Sequence, residues 1–152
     1  MYNLDELDGQ ILQILQQNGR ASHTEIARQL GVGHTRVRDH IHRMEAVGVI
    51  TGYCATIDPL ALGYSIHAII HVSVDQQQDF DEFAAQLLAM DEVVEIFNVT
   101  GEFDALVRIW VRDFRHLREF LYGKISELPA HQNTVSSMVL ANQVKPLTLS
   151  GR

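Results

Sequence analysis

Between Ser22 and Gly48 the chain carries two helical patterns with almost nothing between them, and that spacing constrains the fold more than any other feature. Ser22-His23-Thr24-Glu25 has capping-box spacing, and Ile26, Ala27 and Leu30 form a short buried face that Gly31 ends. The next pattern starts near His34 and runs to Val47, with Gly48 as its stop. Gly31-Val32-Gly33 leaves room only for a tight turn. Upstream, Leu7, Ile11, Ile14, Leu15 and Asn18 make one helical stripe that ends at Gly19. Asp5, Glu6 and Asp8 sit in its first turn, where carboxylates favour the positive end of the helix dipole. Three short helices with this turn between the last two predict a helix-turn-helix.

The third pattern can be resolved by face at ~100° per residue. Val37, Ile41 and Met44 cluster on one side and must point inward. Thr35, Asp39 and His42 point the opposite way, flanked by Arg38 on one side and by Arg36 and Arg43 on the other, with His34 in the free first turn. On a lone helix this would be an ordinary solvated face. Behind a capped helix and a glycine turn it is a face that enters a major groove. The expected DNA-contact set is therefore His34, Thr35, Arg36, Arg38, Asp39, His42 and Arg43, and the expected macromolecular partner is double-stranded DNA.

The formal net charge of −7 argues against nucleic acid at first sight. Its distribution reverses the argument. Residues 31–43 carry Arg36, Arg38 and Arg43 against Asp39 alone, whereas acids outnumber bases beyond residue 44. Attraction to phosphate follows local potential rather than the total. Apolar stretches such as Ala68-Ile69-Ile70 fall far short of the ~18–20 residues that span a bilayer, and Met1–Glu6 lacks the basic start and apolar run of a signal peptide. A single cysteine, Cys54, suits a reducing compartment. A cytoplasmic protein away from membranes is expected.

From Val49 to Ile57 the text turns β-rich, and Asp58-Pro59 and Gly63 punctuate a connector. The rest reads β-α-β-β-α-β. The expected strands are Ser65–Val74, Val93–Val99, Phe103–Val111 and Thr134–Val144. One helix between them buries Phe80, Phe83, Ala84, Leu87 and Leu88, and the other buries Phe114, Leu117, Leu121 and Ile125 before Pro129. That order predicts an α+β chain in which a winged-type helix-turn-helix precedes a ferredoxin-like sheet. The expected domains are residues 1–53 and 65–152, with a linker over 54–64. The sheet face away from the helices should carry His67, Ile69, His71, Glu95, Phe97, Leu106, Trp110, Ser136 and Met138. It is too apolar for water, so a second subunit is expected on it.

These residues resemble the leucine-responsive/asparagine-responsive (Lrp/AsnC) family of transcription regulators. The likeness is carried by Leu4-Asp5, Asp8, Ile11-Leu12, Leu15 and Asn18-Gly19-Arg20. It continues through Glu25-Ile26-Ala27, Leu30-Gly31-Val32, Thr35, Val37, Ile41 and Arg43-Met44-Glu45, then Gly48-Val49-Ile50, Tyr53, Asp58-Pro59, Leu62-Gly63-Tyr64 and Val99 to Asp104. Gly33 stands where the family usually has an N-capping serine. The resemblance implies a homodimer through the sheets, often assembled into an octamer, and an amino-acid effector bound between subunits. The residues it implies at that site are Val99, Thr100, Gly101, Glu102, Phe103 and Asp104, with Thr134 and Ser136 as hydroxyl partners. Apolar neighbours of the turn favour leucine or methionine as effector.

Other functions find little support in the residues. His40 and His42 lie about 200° apart on a helix, and His67 and His71 stand ~13 Å apart along a strand, so no metal is expected. Cys54 has no base placed beside it, and the chain has no nucleophile elbow, Walker loop or dinucleotide glycine pattern, so no catalytic residue and no cofactor beyond the effector are expected. The competing readings are a ferredoxin-like small-molecule enzyme built on His67, His71, Glu95 and Ser136, and an architectural DNA-binding protein without an effector.

Overall fold

The computed structural model describes residues 2–75, 77 and 79–148; the expected outer domain limits, residues 1 and 152, lie outside them. The chain divides into two compact units, Met1–Thr56 with the tail from Gln143, and Ile57–Asn142. The tail groups with the first unit, although the sequence reading assigned it to the second. No helix among the described residues is long and apolar enough to cross a membrane.

The first unit is three helices, α1 (Glu6–Gln17), α2 (His23–Leu30) and α3 (His34–Ala46). Asp5 caps α1 and Ser22 caps α2, each in a reciprocal box with the residue three places on. Gly31 closes α2 with φ 66°, a left-handed turn that favours glycine. Gly33 precedes α3 without a side-chain cap. Ile11, Ile26, Val37, Ile41 and Met44 fill the core, each contributing about 1.5–3 kcal/mol through burial. On α1 the buried stripe is Leu7, Asp8, Ile11 and Leu12; Ile14 and Leu15 only border it. The expected β-rich wing is absent among the described residues, since 51–58 form no strand. The amides of Val49 and Ile50 both donate to the Met44 carbonyl, which closes α3.

The second unit is an antiparallel sheet in the order β2-β3-β1-β4. Its strands are β1 (Ile66–Val74), β2 (Val93–Asn98), β3 (Ala105–Val111) and β4 (His131–Met138). This is the ferredoxin-like order. Along β1, Ile66, Ala68, Ile70, Val72 and Val74 are buried, and alternate residues are not. Phe83 and Leu87 of α4 (Phe80–Leu88) and Leu117 of α5 (Phe114–Glu119) pack on that buried face. Leu88 and Phe114, expected inside, are exposed. After α5 the chain makes a π-helical turn, Phe120–Lys124, and then a 3₁₀ turn, Ile125–Glu127. The wider turn puts Phe120 and Ile125, five apart, into the core, and Leu121, expected there, is only partly buried.

Register settles the far face of the sheet. His67 pairs with Trp110, Ile69 with Arg108 and His71 with Leu106, and Glu95 and Phe97 of β2 fall on the same side. β4 departs from expectation. Ser136 lies opposite Ile70, Met138 opposite Ala68 and Thr134 opposite Val72, so all three take the parity of the helix side. Val135 and Ser137 occupy the far face instead.

Candidate nucleic-acid interface and effector turn

The packing of Val37, Ile41 and Met44 fixes how α3 is presented. With those three buried, His34, Thr35, Arg36, Arg38, Asp39 and His42 are all exposed. Arg38 donates from Nε and Nη2 to Asp39 Oδ1 at 3.2 and 3.1 Å. An exposed pair of this kind is worth little, so either partner can exchange it for a stronger contact.

Arg43 does not belong to this face. It sits on the flank of α3 that borders α1, where its Nη2 donates to both oxygens of the Asp8 carboxylate at 3.1 Å. Asp8 is fully buried. It also accepts from the Tyr2 hydroxyl at 3.1 Å and the Asp5 amide at 3.2 Å, and it bonds His40 Nδ1 at 2.8 Å. Burial alone would push the Asp8 carboxyl up, but the bonds from His40, Asp5, Arg43 and Tyr2 outweigh it and hold it below its ordinary value. Asp5, Asp8 and His40 bring possible metal-ligand atoms within 4.8 Å of one another. Here the Arg43 guanidinium stands where a cation would, and Tyr2 covers it with its ring 5.7 Å away. The arrangement bolts α3 to α1. Sequence reasoning read Asp8 as a dipole partner only; the signal available was the Asp5-x-x-Asp8 capping-box spacing, which points the second carboxylate back toward the chain.

A further residue belongs beside the exposed set on α3. The ring of His23, the first residue of α2, lies 6.1 Å from that of His34 and 6.3 Å from that of His42. Sequence reasoning took His23 only as part of the capping box, and no periodic signal places its ring beside α3.

In the second unit, Thr100, Gly101 and Glu102 are exposed between β2 and β3, while Val99, Phe103 and Asp104 are half-buried. Gly101 has φ 133°, with nothing within 4 Å of where a Cβ would stand. The turn is tied at its base. The Val99 amide donates to the Asp104 carbonyl at 3.0 Å, and the Asp104 amide donates to the Val72 carbonyl at 3.0 Å. Asp104 Oδ2 accepts from the Val74 amide at 2.8 Å, beside the bulge between Ser73 and Val74. One carboxylate oxygen expected for a ligand is thus committed to the backbone, which leaves Oδ1 and the exposed amides of the turn. Thr134 is a correction as well: its hydroxyl bonds His131 Nε2 at 2.6 Å, and it shares the helix-side parity of Ser136.

On the far face of the sheet, His67 stacks on Trp110 at 4.4 Å and 8°. Arg108 pairs with Glu95 at 2.9 Å, and His71 bonds Ser137 at 3.1 Å. His67 Nε2 and Arg108 Nε are buried without a partner among the described residues. Burial, helped by Arg108, holds the His67 imidazole below its ordinary value. His67, His71 and Glu95 are thus each engaged separately, and Ser136 is on the other side, so the polar cluster required by the enzyme reading does not assemble on this face.

Comparison with known proteins matches both units. Residues 4–45 fit the AsnC-type helix-turn-helix domain, and residues 67–149 fit the Lrp/AsnC ligand binding domain. An uncharacterized HTH-type transcriptional regulator of Pyrococcus furiosus is 38% identical over 136 residues, covering 90% of this chain and 91% of that one. The regulatory protein AsnC of Escherichia coli is 30% identical over 143 residues, 94% of each. Among solved structures, a transcriptional regulator from Neisseria meningitidis in complex with L-Met superposes with a TM-score of 0.89 at 28% identity, covering 97% of both chains. That of E. coli AsnC superposes with a TM-score of 0.86 at 29% identity, covering 96% of this chain and 98% of that one.

Proposed function

The chain belongs to the Lrp/AsnC family of transcription regulators, and from that premise we propose that it is a sequence-specific regulator whose amino-acid effector binds between subunits and alters assembly and DNA binding. The observation that carries this reading is the division of α3. One side is closed by Val37, Ile41 and Met44, and the other offers His34, Thr35, Arg36, Arg38, Asp39 and His42 to solvent in a unit of its own. Such a helix presents donors and acceptors at the reach a major groove requires.

The effector half rests on the turn. A zwitterion needs donors for its carboxylate, and the amides around Gly101 are unobstructed by a side chain. Its ammonium needs an acceptor, for which Asp104 Oδ1 is the candidate. Its side chain meets Val99, Phe103 and Leu106, where a charged or amide group would go unpaired. Leucine or methionine fits, and the L-Met complex of the Neisseria relative supports methionine. The turn is exposed at Thr100, Gly101 and Glu102, and the sheet face beside it exposes Phe97 and Val135. A second copy on that face would cover both, giving the homodimer and its further assembly toward an octamer.

Selection of duplexes from a random library by the full chain, with and without 5 mM leucine or methionine, tests the reading. Enrichment of a two-fold symmetric sequence, with yield altered by one of the two amino acids, is expected. A pool that stays random would leave no sequence-specific regulator, and indifference to both amino acids would remove leucine and methionine as effectors.

A further inference from the structure

The first unit must approach a polyanion, yet between Tyr2 and Thr56 six carboxylates face five arginines and no lysine. One of those arginines, Arg43, is held by buried Asp8. The formal charge of this stretch is therefore not positive when its imidazoles are neutral, and counterion release from DNA depends on cations at the contact. The same stretch holds four of the chain's eight histidines. His40 is turned toward Asp8; the other three, His23, His34 and His42, gather at the starts of α2 and α3 and along the exposed face of α3.

We propose that His23, His34 and His42 form one phosphate-contacting patch and that DNA binding takes up protons there, so that affinity rises as pH falls. This rests on the DNA reading above. Imidazole is the side chain whose charge ordinarily changes between pH 5 and 8. His23 and His34 are each the first residue of a helix, where unsatisfied amides and the dipole already favour an anion. Imidazolium groups with rings about 6 Å apart repel one another, and a phosphate laid across them turns that repulsion into attraction. Binding and protonation therefore favour each other.

The charged and titratable neighbours are few. His42 Nδ1 lies 3.2 Å from Glu45 Oε2, and Glu45 Oε1 accepts from the Tyr53 hydroxyl at 3.0 Å. Burial, then the bond to Glu45, pushes Tyr53 up to about 12, so it stays neutral throughout the relevant range. Arg20 shares a cleft with His23, Glu45 and Tyr53. Within α2, Glu25 is bound to Ser22, and on α3 Arg38 and Asp39 pair with each other. Among the described residues a single carboxylate, Glu45, thus competes with DNA for the three imidazoles.

The test is fluorescence anisotropy of the full chain on a labelled duplex recovered by the selection above, at 100 mM salt and pH 6.0, 7.0 and 8.0. Binding should be ~10-fold tighter at pH 6.0 than at pH 8.0, and the log–log salt slope should steepen by about one to two units. The variant carrying His23→Gln, His34→Gln and His42→Gln should lose that dependence whatever its absolute affinity, with a melting curve to show that it is folded. If it is not folded, His23→Gln alone should reduce the pH effect by roughly a third on the logarithmic scale. Wild-type affinity that is flat with pH, or a folded variant that keeps the full dependence, would overturn the linkage while leaving the DNA reading intact. Absence of binding at every pH would remove both.

Discussion

Asp8→Ala probes how the groove-facing helix is held. The carboxylate is fully buried and takes bonds from Tyr2, Asp5, His40 and Arg43. Charge-assisted bonds are worth roughly 1.5–3 kcal/mol each, but donors that return to water recover much of that. The Arg43 side chain is 48% exposed, so its share is discounted. The losses that remain are the His40 bond and half of the α1 capping box, the latter worth ~1 kcal/mol. Together they destabilise the first unit by about 3 kcal/mol. With a urea m-value of ~1 kcal/mol/M for a unit this small, its midpoint should fall by ~3 M. Far-UV circular dichroism follows the unit, because α1–α3 hold most of the α-helix. Trp110, the only tryptophan, reports the other unit and should not move. The sign with pH follows from the depressed Asp8 carboxyl. The contribution is fully present above the ordinary carboxylate range near pH ~4 and is lost as pH falls through the lower folded value. The carboxylate's share of the gap should therefore be present at pH 5 and above and close below pH ~4. A midpoint shift under ~0.5 M, or an equal shift in the Trp110 signal, would refute the argument.

Arg36→Ala and Arg38→Ala should each weaken binding to the selected duplex, lowering the salt slope by about one unit for a phosphate contact or relaxing sequence preference for a base contact; unchanged affinity in both would move the interface off α3. Gly101→Val forces a branched side chain onto φ 133°, a local strain of ~1–3 kcal/mol, and should abolish the rise in melting temperature caused by leucine or methionine while DNA binding persists. Asp104→Asn keeps an acceptor for the Val74 amide and removes the charge, so loss of the effector shift in that variant would assign Asp104 to the ammonium, and full retention would remove it from the site. Trp110→Asp puts a charge on the open sheet face and should convert the assembly to monomers in sedimentation at micromolar concentration; an unchanged sedimentation coefficient would place the subunit contact elsewhere.

What could be read in advance tracks how much apolar contrast a segment carries. Val37, Ile41 and Met44 stand out from Arg, His and Asp, and α3 lies as expected. Ile66–Val74 alternates cleanly, and its buried face follows. β4 has no such contrast: His131-Gln132-Asn133-Thr134-Val135-Ser136-Ser137-Met138 lies at the sheet edge and is largely exposed, so nothing local fixes its parity. Ser136 and Met138 were accordingly placed on the wrong face. Periodicity also assumes an unbroken α-helix, so the π turn at Phe120–Lys124 was invisible to it. Contacts remote in sequence, such as Arg43 with Asp8 and Asp104 with the Val74 amide, leave no periodic trace at all.

On the proposed DNA reading, the capture of Arg43 by Asp8 limits how well one copy of this chain can discriminate its site. It leaves Arg36 and Arg38 as the long cationic side chains on the groove-facing side of α3. A good bidentate base contact discriminates by about 1–3 kcal/mol, so the two arginines supply roughly 2–6 kcal/mol of preference. Against ~10⁶ or more competing sites, occupying one address needs about 8 kcal/mol over the background. A single reading head of this design is lost among decoys. Two heads on a symmetric site sum to roughly 4–12 kcal/mol, a range that reaches that threshold.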